Sequence, residues 1–210
     1  MSSNKEKILR TNNLLLIQSG LRHSEVLYKK MYSNIAFMRE FRLSNVAVTQ
    51  KNILDHLLQL NDIPFKDRTY QEFMIVHPVY GEIGIVALAN ISLGHKRAEL
   101  LVGLFNSEYR VASYAVEATL AVMNYFYNEL RLNRLESLIY SYNLKARKLT
   151  ESLGFLHEGV KVSYIFSSKD NHYIDLYSYA MMESDFRKNK KLGDLSKKFL
   201  KRDMTIIKNQ

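Results

Sequence analysis

Apolar residues recur at every second position along the middle of the chain, a spacing typical of β-strands. The clearest run consists of Ile83, Ile85, Ala87, Ala89 and Ile91. Two further apolar segments, 72–77 and 98–105, are separated from this run by Gly81 and Gly94. Strands that follow one another through glycine turns usually pair antiparallel, so the pattern predicts a three-stranded meander.

Apolar positions with a spacing of three to four mark helical segments on both sides of this meander. The spacing predicts helices over 24–38 and 49–60 before it, with Thr49 as the N-cap of the second helix. A long helix over 115–130 is predicted after it. The chain therefore combines helices with a sheet.

A short helix over 143–153 has the clearest ends in the sequence. Asn143 can accept a hydrogen bond from the backbone donors at its start, and Gly154 stands where a left-handed residue closes such a helix. Further strands are predicted over 14–17, 135–142, 160–166 and 172–182. The order of elements predicts an α/β (α+β) fold with a mixed, mostly antiparallel central sheet flanked by helices.

The C-terminal segment combines helical periodicity with most of the net charge. The chain of 210 residues has a net charge of +9, of which residues 184–210 carry +6. Apolar residues recur there at steps of three and four: Leu192, Leu195, Phe199, Leu200, Met204 and Ile207. The pattern predicts a basic amphipathic helix, so we divide the chain into a domain at 1–186 and a C-terminal extension at 187–210.

This extension has two interpretations. Its apolar face would dock on the same domain or on a second copy in a homodimer. Alternatively, its basic face would bind anionic lipid, nucleic acid or an acidic protein partner.

Composition excludes several classes of protein. The chain has no cysteine, and its six histidines lack metal-binding spacing, so no metal site is predicted. No apolar run has the length of a transmembrane segment and no export signal is recognised, so we expect a cytoplasmic protein. P-loop, dinucleotide-binding and nucleophile-elbow motifs are absent from the sequence, which leaves kinases, dehydrogenases and α/β-hydrolases without support.

One block of sequence carries a more specific signal. Residues 98–105 read AELLVGLF, and they are followed in order by Asn143, Ala146, Leu149, Gly154, Phe155, Glu158 and Gly159. In order and spacing, this set resembles the core of the GNAT superfamily of N-acetyltransferases, especially its RimJ/RimL-type branch. The resemblance implies a GNAT-like sheet and transfer of an acyl group from acetyl-CoA to a primary amine, on a small molecule or at a peptide N-terminus.

The resemblance also implies where coenzyme A would bind. The family's phosphate loop aligns with residues just ahead of the long helix: Arg110, Val111, Ala112, Ser113, Tyr114 and Ala115. Backbone N–H groups at a helix N-terminus favour an anion such as a diphosphate. Ser113 occupies the position of the first loop glycine, and its Cβ narrows the approach of the diphosphate. By the same resemblance, Asn143 and Arg147 contact the cofactor.

Acyl transfer to an amine further needs a base and a donor for the developing oxyanion. The resemblance places Glu99 on the strand that faces the acyl group, which makes it the candidate general base. It also places the oxyanion donor among the main-chain N–H groups of Leu101, Val102 and Gly103.

The general acid is less well defined. Many family members have a tyrosine where this chain has Thr150, so Tyr142 is our candidate acid. Tyr140, or departure of the thiolate without an acid, remains an alternative. The departures at Ser113 and Thr150 also leave open a catalytically inactive module of the same fold, whose basic tail engages an acidic partner or nucleic acid.

Overall fold

The computed structural model describes residues 6–43, 47–64 and 67–207, with the backbone alone described for Asn61 and for residues 110–112. The strands are β1 (Ile8–Arg10), β2 (Leu15–Gln18), β3 (Gln71–His77), β4 (Gly81–Ser92), β5 (Arg97–Leu104), β6 (Arg134–Tyr140), β7 (Leu156–Ser167) and β8 (His172–Met182). The α-helices are α1 (Ser24–Val26), α2 (Ile35–Phe41), α3 (Gln50–Asp62), α4 (Tyr114–Asn124), α5 (Leu144–Ser152), α6 (Glu183–Lys188) and α7 (Lys190–Leu200).

All these strands belong to one eight-stranded sheet in the order β1-β2-β3-β4-β5-β6-β8-β7. Neighbours pair antiparallel except β5 and β6, which run parallel. A parallel pair needs a long crossover, and α4 lies within it. The predicted meander is confirmed, since β3, β4 and β5 pair in succession, and so is the mixed, mostly antiparallel sheet flanked by helices.

Strands β5 and β6 pair with each other over a short distance only. Their register is Arg97 with Arg134, Ala98 with Leu135 and Glu99 with Glu136. Beyond Glu99, β5 continues to Leu104 and β6 to Tyr140 without pairing to each other. The sheet therefore opens into a gap at its centre.

Helices cover both faces of the sheet. On β3, Phe73 and Ile75 belong to the main core that includes α4, whereas Met74 between them packs into a second core with α2 and α3. All three side chains are fully buried. Strands buried on both faces read as continuous apolar runs, which is why the central strands lack a polar face.

The prediction of one continuous helix over 24–38 is wrong. A π-helical segment, Leu27–Tyr32, follows α1, and a new helix begins where Asn34 Oδ1 accepts the N–H of Phe37 at 3.1 Å. Asparagine favours helix caps over helix interiors because its side chain bonds nearby backbone donors. Leu27 and Met31 are buried as the apolar stripe predicted, but Ile35 is 64% exposed and α2 buries Phe37 and Phe41 instead.

Other helix ends were predicted correctly. Thr49 caps α3, with its Oγ1 accepting the N–H of Asn52 at 3.2 Å. The long helix over 115–130 is present as α4, which continues into a π-helical segment, Tyr125–Glu129. Gly154 closes α5 with φ +94°, as its position suggested.

The C-terminal helix docks on its own domain. Leu192, Phe199 and Met204 are buried within the main core, and α7 packs against α4. The helix ends earlier than its periodicity predicts, because Lys201 adopts a left-handed conformation with φ +59°. Ile207, which we placed on the apolar face, is 62% exposed. Of the two interpretations of the extension, this packing favours intramolecular docking.

Across the described residues, no helix combines the length and the apolar character needed to cross a membrane.

Candidate active site

A cavity of about 80 Å³ occupies the opening between β5 and β6, and we call it the gap cavity. Its walls come from both separated strands and from the two helices that flank them. They include Leu101, Val102, Thr119, Ser137, Asn143 and Thr150. Two of the three residues predicted to carry the oxyanion donor thus line the gap. The third, Gly103, faces the other side of β5, where a Cβ would lie 2.6 Å from the ring of Phe37.

The hydroxyl of Thr119 lacks a partner within the gap cavity. This side chain is 2% exposed, and its Oγ1 has no hydrogen-bond partner among the described residues. An unpaired buried hydroxyl costs about 1–3 kcal/mol. A bound molecule that presents a polar group to Oγ1 would remove this cost, so this hydroxyl fits a ligand that has a polar group at this point.

The N-terminus of α4 offers donors for an anion. Its first intrahelical hydrogen bond joins the N–H of Glu117 to the carbonyl of Ser113 at 3.0 Å. The N–H groups of Tyr114, Ala115 and Val116 therefore have no acceptor within the helix. Ser113 makes no side-chain cap and has φ +61°, ψ +15°, the left-handed region that glycine favours. The serine thus follows the backbone path expected of the glycine it replaces.

The rest of the predicted phosphate loop is described by its backbone. Arg110, Val111 and Ala112 belong to a 3-10 turn, Ser107–Ala112, that leads directly to Ser113. Their side chains lie outside the described part of the molecule.

The start of α5 contributes one predicted residue to the gap. Asn143 lines the gap cavity and caps α5, with Oδ1 accepting the N–H of Ala146 at 3.1 Å. Arg147 lies elsewhere, because its guanidinium is 3.4 Å from the ring centroid of Tyr177 on β8. Its Nε also donates to the hydroxyl of Tyr179 at 3.3 Å. The contact of Arg147 with a cofactor stays a prediction.

Glu99 lies at the point where the sheet opens. Its neighbour across the parallel pair, Glu136, is the last residue of β6 that pairs with β5. Burial raises the pKa of Glu99, while a hydrogen bond of 2.8 Å from Asn90 Nδ2 to its Oε2 and the charge of Arg42 partly counter this rise. A carboxylate with a raised pKa next to an opening in the sheet is suited to accept a proton.

The two candidate tyrosines differ in their surroundings. Tyr142 donates its hydroxyl proton to the carbonyl of Arg39, and its ring stacks on Tyr140 with centroids 5.4 Å apart. Burial raises the pKa of Tyr142 to about 12. The Tyr140 oxygen instead accepts the N–H of Leu43 at 2.7 Å, which leaves its own proton for another acceptor. Tyr140 also lies close enough to Glu99 for their charges to interact. Neither tyrosine lines the gap cavity, so the role of either as the acid stays a prediction.

A second cavity, of about 380 Å³, lies on the opposite face of the sheet, and we call it the α2–α3 cavity. It is lined mainly by apolar side chains that include Met31, Met38, Phe41, Val48 and Ile53. Asn90, the hydrogen-bond donor to Glu99, also lines it.

The ring of Phe41 separates the two cavities. Phe41 lines both of them, and it is 7% exposed. It stacks on Phe37 with ring centroids 5.1 Å apart, which fixes its position. Phe41 is therefore common to both cavities, whereas Glu99 lines neither of them and is connected to the α2–α3 cavity through its hydrogen bond with Asn90.

The described residues contain no group of three or more His, Asp or Glu side chains that could hold a metal ion.

A family model described as "Acetyltransferase (GNAT) domain" matches residues 13–156. The chain belongs to the GNAT acetyltransferases. Among curated proteins, it is 25% identical over 175 residues to the uncharacterized N-acetyltransferase YoaA of Bacillus subtilis, covering 81% of this chain and 95% of YoaA. It is 32% identical over 81 residues to the prophage-derived uncharacterized N-acetyltransferase YokL of the same organism. That match spans 39% of this chain and less than half, 45%, of YokL.

Solved GNAT structures share the fold. A GNAT-family acetyltransferase from Bacillus anthracis superimposes with a TM-score of 0.67 at 20% identity, covering 85% of this chain and 99% of the other. Spermidine N-acetyltransferase from Vibrio cholerae, in complex with CoA and spermine, gives a TM-score of 0.71 at 20% identity over 82% of this chain and 97% of its own. At this identity the likeness establishes the architecture.

Three residues of the site escaped sequence reasoning. Thr119 had left a signal, as a polar residue inside an apolar helical run that becomes buried on all sides. Phe41 and Asn90 left none, because their roles depend on contacts between segments far apart in the chain.

Proposed function

We propose that this protein transfers the acetyl group of acetyl-CoA to the nitrogen of a primary amine. The observation that carries this proposal is the opening of the sheet directly after Glu99, with the unpartnered hydroxyl of Thr119 inside it. This arrangement fits an elongated arm with amide groups, and the free N–H groups at the start of α4 fit a diphosphate.

Each residue has a stated part in this proposal. Acetyl-CoA would supply the acetyl group as a thioester. Thr119 and the unpaired backbone of β5 would hold the cofactor's arm, and Leu101 or Val102 would donate a main-chain N–H to the developing oxyanion. Glu99, directly or through a water molecule, would accept the proton that the amine loses as its nitrogen bonds the acetyl carbon. Tyr140 would donate a proton to the departing sulfur.

The acceptor belongs to the proposal as well. The V. cholerae neighbour was solved with spermine, and the resemblance to the RimJ/RimL-type branch suggests a peptide N-terminus. Both are primary amines, and both are consistent with a cytoplasmic enzyme. The α2–α3 cavity is the surface from which such an amine can approach Glu99.

Cofactor binding can be tested without knowing the acceptor. At a concentration one hundred times its Kd, acetyl-CoA would stabilise the folded chain by about 2.7 kcal/mol. This corresponds to a rise in Tm of about 5–10 °C for a protein of this size. Ser113→Trp, which fills the approach to the α4 N-terminus, should abolish the rise.

The matched control is Ser33→Trp, at an exposed serine that ends the π-helical segment Leu27–Tyr32. It should leave the rise intact. If millimolar acetyl-CoA does not change the Tm of the unmodified protein, the proposed function is wrong.

A further inference from the structure

The charge inside the α2–α3 cavity is unlike that of a site for a polycation. Within the described lining, Arg42 is the only residue with a fixed charge, and no lining residue is a carboxylic acid. The Arg42 guanidinium makes no hydrogen bond or ion pair with any described residue. Burial lowers the pKa of His56, which disfavours the charged form of its imidazole. Arg42 is exposed at this cavity, and its charge also acts on Glu99. The cavity therefore presents a cation that has no ion-pair partner among the described residues, beside a lining that is apolar over most of its surface.

We propose that the acceptor is a small primary amine with an apolar body and a carboxylate, and that Arg42 binds this carboxylate. This inference rests on the proposed function and names its substrate class. Guanidinium groups bind carboxylates through two parallel hydrogen bonds, which fixes orientation as well as position.

The two ends of such a molecule have separate sites. Arg42 directly follows Phe41, the residue that divides the α2–α3 cavity from the gap cavity. Asn90 lines the same cavity and holds the carboxylate of Glu99 at 2.8 Å. A carboxylate held by Arg42 would leave the amine of the same molecule to approach Glu99 and the gap.

The apolar walls of the α2–α3 cavity offer a binding surface for the apolar body of the acceptor. Met31, Met38, Val48 and Ile53 line the cavity and offer surfaces that adapt to a branched or aromatic group. A volume of about 380 Å³ lies near the lower limit of typical ligand pockets. The cavity thus suits a single amino-acid-sized molecule better than an extended peptide.

A polyamine is the competing acceptor, and its distal amine would need an acidic partner such as the two acids that line a neighbouring cavity of about 310 Å³. The carboxyl of Glu72 lines that cavity, but it already accepts hydrogen bonds from Ser19 Oγ at 2.7 Å and Tyr70 Oη at 2.8 Å. Burial raises the pKa of Glu72, which weakens it as an anionic partner. Glu6, the other acid there, pairs with Arg22 at 2.7 Å.

The test measures acetyl transfer to matched acceptors, and the release of free thiol from coenzyme A monitors the reaction. L-phenylalanine and L-phenylalaninamide have the same apolar body and nearly the same size but differ in the carboxylate, and spermidine represents the polycation. Arg42→Gln removes the cation, Arg42→Lys keeps the charge without the planar fork, and Lys51→Gln removes an exposed charge on α3 that does not line the cavity.

The measured quantity is the ratio of kcat/KM for phenylalanine to that for phenylalaninamide, compared between variants. Differences in amine basicity between the two acceptors cancel in this comparison. Loss of a charge-assisted bidentate contact should lower the ratio about 10- to 100-fold in Arg42→Gln. Arg42→Lys should lower it less, and Lys51→Gln should leave it unchanged.

Several results would overturn the inference. One is a ratio of kcat/KM values that is the same in Arg42→Gln as in the unmodified protein. Another is a preference for spermidine as the acceptor, with a rate that does not fall when Arg42 is replaced. If none of the three acceptors reacts, calorimetry measures whether N-acetyl-L-phenylalanine binds in the presence of CoA, and this result tests the inference. Absent binding, or binding that ignores Arg42, refutes the inference, whereas failure of acetyl-CoA to bind refutes the proposed function.

Discussion

The two cavities on either side of Phe41 are built from different kinds of sequence. Most walls of the gap cavity come from β5, β6 and α5, which are regular elements that follow one another along the chain. These walls contain predicted residues such as Leu101, Val102 and Asn143. The α2–α3 cavity takes its walls from short, irregular segments between residues 31 and 90. The first follows from the arrangement of the sheet, whereas the second depends on how two helices and their connections happen to pack.

Under the proposed function, this difference separates binding of the cofactor from choice of the acceptor. A ligand that enters the gap would meet the separated strands together with four uncharged polar side chains, those of Thr119, Ser137, Asn143 and Thr150. A ligand in the α2–α3 cavity would meet mostly larger side chains from α2, α3 and their connections, so a few substitutions would change its chemistry. Variants at the residues between the cavities should show where one role ends and the other begins.

Glu99→Gln should have the largest effect. Loss of a general base lowers kcat by about 10²- to 10⁴-fold, while the rise in Tm caused by acetyl-CoA should persist because Glu99 is not needed for cofactor binding. Asp194→Asn, a change at an exposed carboxylate of α7, serves as the control. Equal loss of turnover and of the Tm rise would show that the two cavities do not have separate roles.

The pH dependence of Glu99 sharpens the same comparison. The base must be ionised, so kcat/KM should rise with pH through a pKa that burial holds above its usual 4.5. Asn90→Ala removes the hydrogen bond that favours the ionised form, and the rise should move to higher pH. In Glu99→Gln this rise should vanish. A profile that is identical in all three proteins would exclude Glu99 as the base.

Phe41→Ala comes next, because it removes the wall between the cavities. Truncation of a buried phenylalanine costs about 3–5 kcal/mol of unfolding free energy, and denaturant unfolding would measure it. Phe41→Leu, which keeps most of the volume, should cost less than half as much. We expect KM for the acceptor to rise in both variants. An unchanged KM in a folded Phe41→Ala protein would argue against a shared wall.

Ser113→Gly should have the smallest effect. Glycine relieves the left-handed strain at φ +61°, but it also makes the unfolded chain more flexible, so stability should change by less than about 1 kcal/mol. The rise in Tm with acetyl-CoA should be at least as large as in the unmodified protein. A smaller rise would mean that the serine hydroxyl itself contributes to binding.

Much of the fold followed from local patterns. The meander of β3, β4 and β5, the caps at Thr49 and Asn143 and the left-handed Gly154 were all predicted, because each depends on residues close together in sequence. The helix over 24–38 was not, because a cap at Asn34 outweighed a continuous apolar stripe. Strand β1 was also missed, since three residues carry too little pattern to distinguish a strand from a loop.

The sequence by itself determined the order of elements, the family and the strand that carries Glu99, since these depend on periodicity, on capping residues and on short motifs. Tertiary structure decided the opening of the sheet after Glu99, the isolation of the Thr119 hydroxyl, the place of Phe41 in both cavities and the position of the Arg42 charge at the α2–α3 cavity. Each of these is a contact, or a missing contact, between segments distant in the chain. Such properties arise only when packing brings the segments together, which is why no local pattern encodes them.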